Sequence, residues 1–422
     1  MSERPQGPQE ALFTEIFLQS SGAIQLTVLA QLTDPADAAE LLAVLPAIHS
    51  RHPMLHGRAE QREATEWWWV FDVAFEDIDI RRVTIDDDFD ASDFYETEAS
   101  LTLDILSVNY RVTLLTRDSG VNWIALTVNH AAIDGRSSLN VLSEIDGALA
   151  GKSESDTSLP IPLSAEDGLA AAGYSGHSDL LPPVSAGAMW PVARSAASGE
   201  RRAGIVVRCL SARDVAGLHR QMHHQGLHLA AAFAAAIVPA SRTFPGATGW
   251  TPMLATTDVR GDCSPPVPTE TIGEYVGSIT LLIKPDHQHD SPRQLADLVS
   301  RQLTAGRRNA LDMVEDYDLA TLRAQAKTIG SPQDSFPHGI CVSDVGDMSR
   351  LAGRQVGFDQ VLLMPAQRHG AHPLMVVIIT TTTGAHLTVG YAEPLTSADT
   401  AANFADAYVA NLRSLARDGH LQ

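Results

Sequence analysis

Asn129-His130-Ala131-Ala132-Ile133-Asp134-Gly135 separates two segments of different periodicity. Before it, Val121 to Val128 (VNWIALTV) is a short apolar run rich in β-branched and aromatic residues, which predicts a buried strand. After it, Arg136 to Ala150 (RSSLNVLSEIDGALA) carries Leu139, Leu142, Ile145 and Leu149 at helical spacing, with Ser137 or Ser138 as the expected cap. A histidine, an aspartate and a glycine therefore occupy a strand-to-helix corner. An imidazole titrates near neutrality, so His130 is a candidate general base.

The flanking chain alternates in the same manner. Strands are expected over Ala23–Leu32, Glu66–Val73, Ile78–Ile85 and Val108–Thr116, the last forming a hairpin with the strand before His130. A helix is expected to start at Asp34-Pro35 and to end before His52-Pro53, because a residue preceding proline disfavours the helical region. Residues 1–10 are polar and expected to fray, and the short apolar segment Glu10–Gln19 is a candidate helix. Trp67, Trp68 and Trp69 cannot all face one core on a strand, where side chains alternate. The acidic run Asp86–Asp93 lacks EF-hand spacing and reads as a solvated turn with a helix cap.

Gly151 to Gly199 is polar, then proline-punctuated, and reads as a connection. From Gly204 the alternation resumes. Strands are expected at Ile205–Leu210, Trp250–Thr257, Tyr275–Lys284, Gly339–Val345, Gln355–Met364, Leu374–Thr383 and Ala385–Tyr391. Helices are expected after Ser211 and at Leu229–Ser241, Ser291–Asn309, Tyr317–Thr328 and Ala398–Ala416. The expected organisation is an N-terminal half over 1–175, a linker over 176–200 and a C-terminal half over 201–422, both α/β or α+β.

Composition bounds the function. The chain has 422 residues, 44% apolar and 19% charged, an ordinary globular balance. A net charge of −21 argues against nucleic acid as partner. No apolar run reaches the ~18 residues of a membrane span. The N-terminus (MSERPQGPQEAL) has neither a basic start nor an apolar core, so no secretory leader is expected. Cys209, Cys263 and Cys341 are widely spaced and odd in number, matching neither a zinc nor a disulfide pattern. The expected compartment is the cytoplasm, and the expected state a monomer. His219 and His223 lie four apart, but no third ligand accompanies them, so no metal is expected. No GxGxxG follows a strand and no GxxxxGK occurs.

An HxxxDG string alone should arise by chance in about one such chain in ten. Asp258-Val259-Arg260, at the end of an expected strand in the other half, adds weight, because a buried Asp134 needs a cationic partner and arginine is the usual one. His130 to Gly135 resembles the HxxxDG motif of the chloramphenicol-acetyltransferase-like acyltransferases. These include nonribosomal-peptide condensation domains, plant BAHD acyltransferases and the stand-alone polyketide-associated acyltransferases of mycobacteria. Four further stretches agree in order. Arg51-His52-Pro53-Met54-Leu55 resembles the HPxL ending the first helix, and Thr257-Asp258-Val259-Arg260 the DLR strand end. Val342-Ser343-Asp344-Val345-Gly346 resembles the SNxG strand, and Gly390-Tyr391-Ala392 the last strand before the final helix.

The resemblance implies two related halves with a tunnel between them. His130 would accept a proton from an acceptor hydroxyl, less readily an amine, which attacks an acyl thioester of coenzyme A or of a carrier-protein phosphopantetheine. No bound cofactor is implied. Asp134 would pair with Arg260 rather than touch substrate, Asp258 would support the site, and Gly135 would leave room for close packing. Asn129 stands where many members carry a second histidine, and Asp344 where the SNxG asparagine stands; with Ser343 these are candidates for positioning the loop or tunnel. The plant DFGWG stretch has no counterpart, which points to the bacterial branch. Arg201-Arg202 and Arg307-Arg308 are candidate contacts for coenzyme A, against a plain solvated surface. The alternative to an enzyme is a catalytically silent module of the same fold that docks a carrier protein or partner enzyme.

Overall fold

The computed structural model describes residues 2–63, 66–152, 157–175, 189–247, 249–287, 289–311, 319–348 and 357–417. In chain order its strands are β1 (Ser2–Pro5), β2 (Leu26–Ala36), β3 (Gly57–Arg62), β4 (Glu66–Phe71), β5 (Ile80–Thr84), β6 (Tyr110–Arg117) and β7 (Gly120–Val128). They continue with β8 (Arg202–Ser211), β9 (Thr251–Asp258), β10 (Val276–Ile283), β11 (Ile340–Asp347), β12 (Phe358–Pro365), β13 (Met375–Thr381) and β14 (Gly384–Glu393). The helices are α1 (Pro8–Gln19), α2 (Ala38–Arg51), α3 (Ala91–Ser100), α4 (Gly135–Leu149) and α5 (Ala165–Ala171). They are followed by α6 (Ala212–His224), α7 (Leu229–Ala240), α8 (Pro292–Leu311), α9 (Leu319–Gly330) and α10 (Ala398–Arg417).

The strands form three sheets. One holds β12-β2-β7-β6-β5, a second β10-β9-β11-β13-β14-β8, and a small third β1-β4-β3. The α/β class expected from the alternating pattern is the one observed. β12 belongs by sequence to the C-terminal half, yet it pairs antiparallel with β2 of the N-terminal sheet, Val361 opposite Ala30 and Leu363 opposite Val28. Each large sheet has its own apolar core. Leu26, Val28, Ile124, Leu139 and Val361 meet in one; Phe233, Ile279, Val376, Phe404 and Leu412 meet in the other.

Several local expectations are corrected. Residues 2–5 do not fray: β1 pairs with β4, Arg4 opposite Trp69, and the Arg4 guanidinium bonds the buried Glu10. The second helix is capped by Asp37, whose carboxylate accepts from Ala39 N at 2.7 Å and Glu40 N at 3.1 Å. Asp34-Pro35 lies three residues earlier, inside β2, where proline's fixed φ is tolerated at a strand end. Trp67 and Trp69 face the core, while Trp68 points the other way under the Arg62 guanidinium, 4.5 Å from its ring centre. The acidic run is a turn whose Asp90 caps α3. Tyr317 and residue 318, and residues 355–356, expected to open a helix and a strand, lie outside the described residues, as do 176–188 of the linker.

Candidate active site

β7 delivers the chain into the corner, and Asn129 shapes it. Its backbone N–H donates to Asn109 O at 2.7 Å, its side-chain amide donates to Asn109 Oδ1 at 3.0 Å, and its Oδ1 accepts from Ala131 N at 3.1 Å. Asn129 is fully buried. Its amide donates across to Asn109 and accepts from the backbone two residues on, and together these bonds set the turn that presents His130.

Asp134, rather than Ser137 or Ser138, caps α4. Its Oδ1 accepts from Ser137 N at 2.7 Å. Its Oδ2 accepts from Tyr275 N at 3.0 Å and stands 2.9 Å from Arg260 Nη2. Arg260 also reaches Asp258 Oδ1 at 3.1 Å and Ser137 Oγ at 2.8 Å, and it stacks 4.6 Å from the Tyr275 ring centre. Both members of the Asp134–Arg260 pair are buried, so the pair persists because each charge is matched and hydrogen-bonded. Asp258 also pairs with Arg136. Burial works to raise the Asp258 carboxyl, but Arg260 and Arg136 outweigh it and hold it below the ordinary range.

This network grips the segment that faces His130. Asp134 N donates to Gly273 O at 3.1 Å, and Gly273 N donates to Ser137 Oγ at 3.0 Å. With Tyr275 N held by Asp134, Glu274 is pinned on both sides. Its buried carboxyl, which burial holds above the ordinary range against the pull of His130, stands 3.1 Å from His130 Nδ1 and accepts from Gln9 Nε2 at 2.9 Å. Phe13 meets the imidazole edge-on, ring centres 5.1 Å apart. Burial opposes protonation of His130, but the charge and hydrogen bond of Glu274 exceed it, so the imidazole sits above its ordinary value.

His130 lines a cavity of about 330 Å³. α1 forms one wall with Gln9, Leu12 and Phe13; Leu254 and Thr256 of β9 and Ser278 of β10 form another. Glu166 also lines it. Its Oε1 accepts from Gln9 N at 2.8 Å and its Oε2 has no partner; burial pushes its carboxyl to about 7. Glu274, Glu166 and Gln9 escape a reading of the sequence. None lies in a recognisable string, and Gln9 falls in the stretch expected to fray.

The remaining candidates divide. Ser343 Oγ accepts from the cavity-lining Thr256 at 2.9 Å. Asp344 follows on the opposite face of β11, where burial raises its carboxyl to about 6 against the backbone N–H of Gly346 and the charge of Arg136. Neither residue is among the described cavity lining. Steric room does not explain Gly135: a Cβ there would stand 3.4 Å from Leu363 Cδ1, an ordinary contact, because the corner opens onto side chains rather than backbone. Arg201 is buried and bound to backbone carbonyls, so it offers nothing to coenzyme A; Arg202 pairs with Glu393 and Arg307 with Asp262. His219 and His223 are exposed, and among the described residues no three histidine, cysteine or carboxylate side chains are placed so that they could hold a metal ion. No helix there is long and apolar enough to cross a membrane.

No family model and no curated protein matches this sequence. Solved structures do match it. The condensation domain of the Monacolin K polyketide synthase MokA aligns over 100% of this chain and 99% of its own, at TM-score 0.71 and 11% identity. Polyketide synthase associated protein 5 from Mycobacterium tuberculosis aligns over 98% and 97%, at TM-score 0.68 and 16% identity. The TRI3 trichothecene 15-O-acetyltransferase from Fusarium sporotrichioides aligns over 98% and 95%, at TM-score 0.70 and 12% identity. The chain therefore shares, along nearly its whole length, the fold of these three proteins.

Proposed function

We propose that this protein transfers an acyl group from a thioester to a hydroxyl, less readily to an amine, with His130 as general base. The observation that carries the reading is the buried Glu274 carboxylate on His130 Nδ1, at the wall of an apolar cavity. A carboxylate accepts only, so Nδ1 holds the ring proton and the lone pair lies on Nε2. Nε2 takes the proton of the acceptor hydroxyl as its oxygen forms a bond to the thioester carbonyl carbon. On collapse the C–S bond breaks, and the thiolate leaves with the proton returned from Nε2. Ser278, which lines the cavity, is a candidate donor to the oxygen that gains charge in between. The donor is an acyl group on coenzyme A or on the phosphopantetheine of a carrier protein.

Purified wild-type protein and His130→Ala, each supplied with a panel of acyl thioesters and hydroxylated acceptors, test the reading by mass spectrometry of products. General-base removal is expected to cost 10²–10⁴-fold in rate. Undiminished transfer by the variant refutes the mechanism. No transfer by the wild type, together with carrier-protein capture that His130→Ala retains, favours the silent docking module.

A further inference from the structure

The same cavity holds a second polar cluster that acyl transfer does not use. His338, His369 and His372 line it, with ring centres 5.4 Å apart for His338 and His372 and 6.2 Å for His369 and His372. Gln367 lines it beside them. Gln367 is 2% exposed, yet its Oε1 has no hydrogen-bond partner. Such an orphaned polar atom is costly unless a ligand satisfies it.

The loop presenting them is built rigidly. Arg201, 3% exposed, donates to Ala196 O, Ser331 O, Arg368 O and His369 O. Gly370 takes the left-handed conformation, φ 71°, and its carbonyl accepts from Gln333 Nε2 at 2.6 Å. The strand positions nearest the cluster and nearest His130 are also separated along β9. Glu274 adjoins the Val276–Asp258 pair, whereas Cys341 of the cavity wall pairs with Leu254, four residues along β9, or roughly 13 Å of strand.

The chemistry of the cluster selects its ligand. His372 Nδ1 donates to Gly339 O at 2.8 Å, which leaves Nε2 as an acceptor. Burial pushes His372 down to about 3 and His369 to about 4, so both stay neutral. Lone pairs on Gln367 and His372 repel an anion, and every Arg201 donor that could attract one is bound to a carbonyl. The Arg201 charge repels an ammonium. An uncharged hydrogen-bond donor remains. We propose that Gln367, His369 and His372 bind a hydroxyl group carried at the far end of the substrate chain whose near end reaches His130. The acyl-transfer reading decides only whether that hydroxyl belongs to the acceptor or to the acyl chain.

Calorimetric titration with octanol, and with octanediol bearing a hydroxyl at each end, tests the site without turnover. A pocket built to hydrogen-bond a hydroxyl rejects the analogue lacking it far more strongly than it senses a methylene. The wild type is expected to bind the diol at least tenfold more tightly than octanol. Gln367→Met, close in volume, is expected to bind the two alike, and His372→Phe serves as the second variant if Gln367→Met fails to fold by circular dichroism. Equal affinities in the wild type, including no measurable binding of either, overturn the proposal, as does a diol preference that survives in the folded variant. Transfer assays with octanediol against octanol as acceptor, and with octanoyl against terminally hydroxylated octanoyl thioester as donor, assign the group to its source. Intact diol preference without any transfer overturns the acyl-transfer reading and leaves this site standing.

Discussion

In the proposed transfer His130 works only while Nε2 is unprotonated. The Glu274 charge holds the imidazole above its ordinary value against the burial that would lower it, so the rate is expected to rise with pH through that raised value. In Glu274→Gln the attraction is lost and the burial remains. The rising limb of the kcat–pH profile should therefore move to lower pH, and maximal kcat should fall about a hundredfold because the tautomer is no longer fixed. An unmoved limb would show that Glu274 does not act on His130. Glu166 supplies a second pH signature, this time in stability. Its folded-state value of about 7 exceeds the ordinary glutamate value, so folding favours the protonated form. The associated stability is complete below the ordinary glutamate range and is lost as pH rises to about 7. Glu166→Gln is expected to gain Tm relative to the wild type across that window and to show little difference below it. His130 was legible from sequence because it sits in a recognisable string. Glu274 and Glu166 were not, because a lone glutamate in a loop or short helix looks like any solvated carboxylate until burial is known.

At the scale of elements, the start of α4 and the Gly273–Tyr275 segment form one unit. Asp134 caps the helix, matches Arg260 and holds Tyr275 N, all with one carboxylate. Asp134→Asn keeps the shape and removes the charge beside a buried guanidinium. We expect it to lower unfolding free energy by about 3–5 kcal/mol, read from the urea midpoint. Adding Arg260→Met to it should cost much less than the sum of the two single changes, since the second removes the stranded charge. Additive losses would mean that the two residues act independently. The pairing was anticipated from the charge balance of a buried aspartate, but the cap was not, because Asp134, Ser137 and Ser138 all satisfy the preferences of a helix start. The same ambiguity shifted α2 by three residues, where Asp34 and Asp37 are equally good caps by type and only β2 decides between them.

At the scale of the molecule, β12 binds the two halves. It covers β2 and contributes Val361, Leu362 and Leu363, all buried. A fragment ending before β8 leaves β2 as an open edge flanked by unmatched apolar surface. It is expected to aggregate when expressed alone and to become soluble on co-expression with the remainder. A monomeric, cooperatively unfolding N-terminal fragment would contradict this. The cavity between the halves likewise draws its wall from α1, β9, β10, the start of β11 and the 367–372 loop, which no local pattern connects.

The sequence by itself determined the α/β alternation, nearly every long helix and strand of the second half, the corner carrying His130 and the aspartate–arginine pairing. These follow from periodicity, caps and the electrostatic need of a buried carboxylate, which are written within short windows of chain. Only the tertiary structure decided that β1 and the first turn of α1 are ordered, that β12 crosses between sheets, and that Glu274 holds His130. It alone revealed the cluster of Gln367 and histidines in the same cavity. Each of these depends on burial and on contacts between segments far apart in sequence, where desolvation, not residue type, gives a side chain its charge state and its partner.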